Sequence, residues 1–443
     1  MSTSAAATGR SFLRRTLATT PGRYRALAAL CLAALLVTLA ATTASARSLQ
    51  RSTDRVRTQS GPVLIATQQV FSSLAEADAA ATAEHLAGKG DGRDQRRLYE
   101  DALERAARQI DVIASRIGDD ETAHDALADL LVALNRYAGA VETAREKKGA
   151  GAPDADAALA AALAVSSSTI TPAVATLLDA TNGRIDRDTD ASTFTVLGLL
   201  AVAALVLAQI VIARRTNRLV NIPLAVATVI VVATLGWLFV AAQRQHDDVR
   251  AARSVGVDSI GLTGTIQATA YRAKAAESLA LLGGGSSDAR FADATKNADA
   301  IHTGTVDAAA VQQARSGAPL AGRGLLTDAA RVADSARERA SVAEMLERWR
   351  RYRVTSDTIR RNASNPTGLA EARTVATNEG NSTFNGFNLA VETFLADNRG
   401  QFEAHLDAAS DRLRLLDLGM VVLPLLAAAL ALWGIQIRWN EYR

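Results

Sequence analysis

Apolar positions along the chain follow two patterns. Over most of its length they recur at a helical period: Leu127, Leu130, Leu131, Leu134, Tyr137 and Val141 keep the i, i+3, i+4, i+7 spacing of a helix with one buried stripe. In four other places the apolar residues run on with no polar face. The stretches 26–46, 194–213, 222–242 and 418–437 are uncharged and 20 or 21 residues long. That is the length an α-helix needs to cross a hydrocarbon core of roughly 30 Å. None holds Asp, Glu, Lys, Arg or His, so no proton relay or ion pair is offered inside a membrane. The first ends in Ala44-Ser45-Ala46, a signal-peptidase pattern behind an Arg-rich start. Its apolar run is longer than the usual h-region of about 7–15 residues, which favours a retained anchor over a cleaved leader.

The residues flanking these stretches orient them. Arg10, Arg14, Arg15, Arg23 and Arg25 precede the first, Arg214, Arg215 and Arg218 lie between the second and third, and Arg438 and Arg443 follow the fourth. Only Glu441 opposes them. The positive-inside rule therefore places both termini and the short middle loop in the cytoplasm. The expected order is a cytoplasmic tail 1–25, span 26–46, an extracytoplasmic segment 47–193, span 194–213, a cytoplasmic loop 214–221, span 222–242, a second extracytoplasmic segment 243–417, span 418–437 and a tail 438–443. The protein is read as multi-pass in the cell membrane.

This order gives the charge a meaning. The 49 Lys and Arg nearly balance 46 Asp and Glu, a net +3. Divided by topology, the cytoplasmic parts carry +9 and the exterior −6. Nothing in that balance suits a nucleic-acid partner. Nearly all the soluble mass is outside, in segments of 147 and 175 residues, and the cytoplasmic fringe is too short for an enzyme domain.

Both exterior segments are rich in Ala, Leu, Arg, Glu and Asp, which predicts helices. Breaks are expected at Gly88–Gly92, Gly118 to Asp120 and Gly149–Pro153, and again at Gly283–Ser287, Gly317–Gly324 and Asn362–Gly368. Three breaks make four helices in each. The fold class expected is an all-α membrane protein, with four transmembrane helices and two extracytoplasmic antiparallel helical-bundle sensor domains in tandem. The halves also match each other: Leu98-Tyr99-Glu100-Asp101-Ala102 with Arg290-Phe291-Ala292-Asp293-Ala294, Arg136-Tyr137 with Arg351-Tyr352, and Ala175-Thr176-Leu177-Leu178 with Glu392-Thr393-Phe394-Leu395. The repeat is parallel, unlike the inverted repeats common in transporters.

Chemistry is sparse. No Walker loop, H-E-x-x-H, G-x-S-x-G or kinase signature occurs, and no catalytic residue, cofactor site or metal site is assigned. Gly283-Gly284-Gly285 reads as a turn, and Asp119-Asp120-Glu121 as carboxylates at a helix start rather than a calcium loop. His124 and His302 fall in helical segments without partner ligands, and Cys31 falls in the first span. Trp439 and Tyr442 read as interfacial anchors. Contact with the interior falls to the basic loop, with Arg214, Arg215, Arg218 and Asn221 as candidate residues. Lipid contact and topology alone are the simpler reading of that loop, and docking of a cytoplasmic protein is the second.

Three short motifs carry a resemblance. Thr20-Pro21-Gly22-Arg23-Tyr24-Arg25 before span one, Arg215-Thr216-Asn217-Arg218-Leu219-Val220-Asn221 before span three, and Gly434-Ile435-Gln436-Ile437-Arg438 through Glu441-Tyr442-Arg443 at the end resemble GlnX-type actinobacterial membrane sensors. The order of spans and exterior helices resembles them over the whole chain, and the bias to 44 Arg over 5 Lys fits a GC-rich source. One departure is Pro223, which follows Ile222 instead of the Asn directly. The resemblance implies two partners: GlnH, an extracytoplasmic solute-binding lipoprotein for amino acids such as aspartate or glutamine, and the cytoplasmic Ser/Thr protein kinase G, which adjusts nitrogen and glutamate metabolism. The expected function is a non-enzymatic transmembrane adaptor between the two, in contact with membrane lipid. The alternatives are a direct small-molecule receptor using an exterior arginine such as Arg55, Arg57 or Arg272, and a structural or transport component. A homodimer is left open, because no heptad seam can be assigned.

Overall fold

The computed structural model describes residues 54–87, 92–189, 222–252, 259–282, 287–365 and 367–440, with isolated positions between 33 and 51 and Ile210. Every regular element among them is helical. The chain divides into two compact units. One holds residues 55–187 and 250–405, the other 1–54, 188–249 and 406–443.

In the first unit, a π-helical turn Val56–Ser60 leads into α1 (Gly61–Ala87), followed by α2 (Arg93–Arg116) and α3 (Glu121–Ala150). A fourth helical run comprises α4 (Ala155–Val165), a π turn Ser166–Ile170 and α5 (Thr171–Thr189). The sequence explains the breaks. Gly151 sits at φ 71°, a left-handed conformation that only glycine adopts readily, and its N–H closes α3 on the carbonyls of Lys147 and Lys148. Asp120 starts α3 by accepting a hydrogen bond from the Ala123 N–H at 3.1 Å, as the carboxylate reading of that cluster expects. Leu127, Leu130, Tyr137 and Val141 are buried on the predicted stripe, but Leu131 is 42% exposed.

The later part of the unit departs from the expected four helices. It contains α7 (Ser259–Leu282), α8 (Ser287–Ile301), α9 (Ala308–Ser316), α10 (Leu325–Val332) and α11 (Ala336–Ala363), with α6 (Ile222–Ala252) preceding them. A last run comprises α12 (Leu369–Val375), a π turn Ala376–Gly380 and α13 (Asn381–Asn440). Two further breaks, at 302–307 and 333–335, divide the second and third of the expected helices, one each. Asp307 caps α9 and Ser335 caps α11, and each stops the preceding run by offering a side-chain acceptor to the next. His302 therefore lies just past a helix end. It is buried, with Nδ1 3.3 Å from the Thr327 hydroxyl, and burial holds its pKa low. His124 is exposed, with Nε2 2.7 Å from the Gly118 carbonyl.

The two segments expected as separate bundles pack together. One core gathers Val70, Tyr99, Ile113, Leu130, Tyr137 and Leu177, and the other gathers Ile266, Leu346, Trp349, Tyr352, Phe387 and Phe394. Helix α1 supplies both, with Val63 and Leu74 to the first and Ala75 and Ala79 to the second, and it packs along α7 as well as α2. The cause is visible in α1 and α7: apolar or small residues lie on all their sides, so one partner cannot cover them. Positions paired between the halves share burial, since Tyr137, Tyr352, Leu177 and Phe394 are each at most 1% exposed.

In the second unit the expected spans 26–46 and 194–213 lie outside the described residues, apart from isolated positions. The spans 222–242 and 418–437 fall within α6 and α13, where shorter apolar runs occur at Ala225–Trp237 and Val421–Trp433. In these helices Ala227, Val231, Thr234, Ala427 and Ala431 are buried, while Val229, Val232, Leu425 and Trp433 are half or more exposed. Small residues inside and large apolar residues outside is the arrangement of a helix that faces lipid. Among the described residues, one helical run passes the length and apolarity test for a span, Ala155–Arg184. Its Leu159, Ile170, Val174 and Leu177 fill the first core, which accounts for its apolarity.

Candidate functional site: a cavity between the two halves

The cavity of about 260 Å³ in the first unit is walled by four helices. Helix α1 supplies Glu76 and the small Ala79, Ala80 and Ala83, and α2 supplies Gln95 and Leu98. Helix α7 supplies Tyr271 and Lys274, and α13 supplies Asn381, Phe384, Asn385, Asn388, Leu389 and Glu392. The last set is a stripe. Positions 381, 385, 388 and 392 stand one above another at i, i+4, i+7 and i+11, while Phe384, Phe387, Val391 and Phe394 anchor the same helix in the core.

Charge in the cavity is organised around Arg105, whose Nη2 lies 2.8 Å from Glu76 Oε2. Burial pushes the Glu76 carboxyl above its ordinary pKa, against the pull of Arg105, and nearby Glu392 adds to the rise. Tyr271 is held well above the usual phenol value by burial and by the same two carboxylates. Glu392 accepts from Asn388 Nδ2 at 2.9 Å, and Asn388 Oδ1 accepts from buried Gln267 at 2.7 Å. The stripe is thus fixed by a helix of the same half. Lys274 reaches the cavity but is engaged: Nζ lies 3.1 Å from Glu277 Oε1, both side chains are at most 4% exposed, and the Ala376 carbonyl accepts at 3.4 Å.

A second recess, of about 230 Å³, lies among α1, α2, α3 and α4, with Glu84, His85, Arg93, Arg96, Arg145 and Lys148 on its walls. Most of its charges answer one another. Arg145 forks onto Glu84 at 2.9 and 2.7 Å, Arg96 pairs with Glu100, and Lys148 and His85 both face Asp156. Burial holds the His85 pKa low. This recess is braced by its own ion pairs, so the cavity between the halves is the better receptacle.

The residues picked out from sequence do not line either space. Arg214, Arg215, Arg218 and Asn221 lie outside the described residues. Arg272, expected as a ligand arginine, is instead a brace: Nη2 donates to Thr171 at 3.0 Å and the guanidinium stacks 5.0 Å from the Phe71 ring. Arg55 and Arg57 are exposed before α1, away from the cavity, and both make interactions there. Sequence reading missed Glu76 and the asparagine stripe. A signal for the stripe exists, because three asparagines on one face of a good helix cost helix propensity without an obvious return.

With this geometry in place, comparison with known proteins adds one match. Residues 52–190 match the actinobacterial sensor domain family. No curated protein and no solved structure matches the chain. The sensor domain runs from just before the first π turn to the end of α5, so it is the whole first half of the compact unit. It owns the Glu76, Gln95 and Leu98 wall of the cavity, and α7 and α13 beyond it supply the rest. Sensing is the role this family gives to the matched segment.

Proposed function

We propose that the chain is a non-enzymatic signalling protein of the cell membrane, multi-pass with both termini inside, whose compact helical unit receives a signal outside and passes it to a cytoplasmic partner. The observation that carries this reading is the sensor-domain match over residues 52–190, which covers the first half of that unit. The outward-facing valines, leucines and tryptophan of α6 and α13 support the membrane setting. The resemblance to GlnX-type sensors supports the finer version: the input is an amino-acid-loaded solute-binding lipoprotein and the output is a Ser/Thr protein kinase controlling nitrogen and glutamate metabolism. In this version Arg214, Arg215, Arg218 and Asn221 meet the cytoplasmic partner.

Replacing Arg214, Arg215 and Arg218 together with Gln tests the output. Kinase-substrate phosphorylation should lose its response to amino acid, while membrane insertion, followed by protease accessibility of the exterior unit, stays intact. An unchanged response in correctly inserted protein removes the docking role and leaves the loop to topology and lipid.

A second reading, direct reception of a small molecule, is favoured by the cavity itself. Convergent carboxylates, amides and a phenol over an alanine floor are what a small-ligand site is made of.

A further inference from the structure

We propose that the cavity between the two halves binds a small primary ammonium compound, with Glu392 and Glu76 taking its charge and Asn385 its polar groups. The inference rests on the direct-reception reading and names the ligand class.

Charge points to a cation. Glu76 and Glu392 act on one guanidinium, that of Arg105, and Lys274 is spent on Glu277. Two carboxylates with one shared cation, largely buried Glu76 at the base and exposed Glu392 at the mouth, leave about one negative charge that an incoming ammonium would meet. An anion would meet those carboxylates first.

The donors and acceptors fit the same class. Glu392 is aimed by the Gln267–Asn388 chain, so its acceptor oxygens are placed before a ligand arrives. Asn385, two turns away on the same face, has a side chain with no hydrogen bond among the described residues and offers an amide oxygen to an N–H. The three alanines opposite let a ligand approach the α1 backbone closely. A volume of about 260 Å³ is enough for a compact amine.

The stripe also has a consequence for signalling. It sits near the start of α13, which runs unbroken to Asn440 and includes the apolar run Val421–Trp433. A ligand bridging Glu76 on α1 and Glu392 on α13 would fix those two helices against each other, a packed contact of the kind that shifts in discrete steps.

Calorimetry on the detergent-solubilised full chain, with putrescine, 4-aminobutyrate and succinate as chain-length-matched probes, tests the proposal. Putrescine should bind and succinate should not. Glu392→Gln, at an exposed position, should weaken putrescine at least about tenfold, because a charge-assisted hydrogen bond is lost. Asn385→Leu should block it, and Arg96→Gln in the other recess should leave it unchanged. Melting temperatures near wild type would show that the variants fold. Putrescine binding that ignores Glu392→Gln overturns the assignment. 4-Aminobutyrate, with one ammonium group and a carboxylate, should bind more weakly than putrescine, and binding of succinate in place of both, lost in Asn385→Leu, overturns the ligand class but keeps direct reception. If none of the three binds, both fail and the adaptor reading stands alone.

Discussion

Helix α1 carries Asp78 toward the π turn Ser166–Ile170, and α7 carries Lys274 toward the π turn Ala376–Gly380. Both are central helices, and both bring a charge against a place where a neighbouring helix widens and its hydrogen-bond ladder is interrupted. They satisfy it differently. Lys274 is answered by Glu277 one turn along, with Ser356 donating to the same carboxylate and the Tyr352 ring 5.9 Å from Nζ. Asp78 is answered by hydroxyls: Ser166 donates to Oδ2 at 2.8 Å, and the buried Tyr137 hydroxyl faces the same carboxyl. Its nearest cation, Arg272, is committed to Thr171. The second half keeps its buried charge by pairing it, and the first leaves a carboxyl whose charge burial disfavours, so that it takes up a proton near pH 6.

The ion pair should show the largest effect. Lys274→Met leaves Glu277 buried and unopposed, and should cost about 3–5 kcal/mol in urea unfolding of the solubilised chain. Lys274→Met with Glu277→Leu should return most of that, because two apolar residues of similar volume replace the pair without desolvating a charge. A single variant within about 1 kcal/mol of wild type would mean that the pair is solvated, and the contrast between halves would collapse.

The same contrast shows which features were legible in sequence. Amphipathic α3 and its limits were, because its stripe, the Asp120 cap and Gly151 are local signals. The extra breaks at 302–307 and 333–335 rest on single capping residues, Asp307 and Ser335, within stretches of good helix formers, so the period ran across them. Helices α1 and α7 gave almost no stripe, since alanine on every side hides which face is buried. That concealed both their packing together and the depth of Asp78, Lys274 and Glu277, which read as ordinary solvent-facing charges in an Ala-rich helix. The cavity was less legible still. Glu76 and Glu392 stand on helices more than 300 residues apart, and only the fold brings them near one guanidinium.

Titration should sharpen the contrast with an effect of intermediate size. Burial raises the Asp78 carboxyl from its ordinary 3.8 to about 6, with Ser166 pulling the other way. Folded Asp78 thus holds its proton where an unfolded aspartate has released it. Protonation favours the folded state, so this contribution is full below about pH 4 and is lost as pH rises through about 6. Asp78→Asn mimics the protonated form. It should be more stable than wild type by about 3 kcal/mol at pH 8, with most of the difference gone near pH 4. A pH-independent difference would show that Asp78 is ionised and solvated, like a surface carboxylate. Glu277, held by Lys274, should give no comparable gain on substitution by Gln at high pH.

The smallest difference concerns how two long helices begin, α3 in the first half and α11 in the second. Ser335 starts α11 with a reciprocal capping box: its Oγ accepts from the Glu338 N–H at 3.1 Å, and Glu338 Oε2 accepts from the Ser335 N–H at 2.9 Å. Asp120 starts α3 with one side-chain bond to the backbone, but its other oxygen holds Arg184 Nε of α5 at 3.1 Å, both side chains being under 20% exposed. The first cap is local, and the second also ties two helices. Ser335→Ala should therefore cost about 1 kcal/mol, the ordinary value of a lost cap. Asp120→Ala should cost about 1 kcal/mol more, because a largely buried guanidinium loses its counter-charge. Asp120→Asn separates the two contributions, keeping the cap and removing the charge, so it should fall between them. Equal losses for Ser335→Ala and Asp120→Ala would make Arg184 a bystander, and the start of α3 would be as local as that of α11.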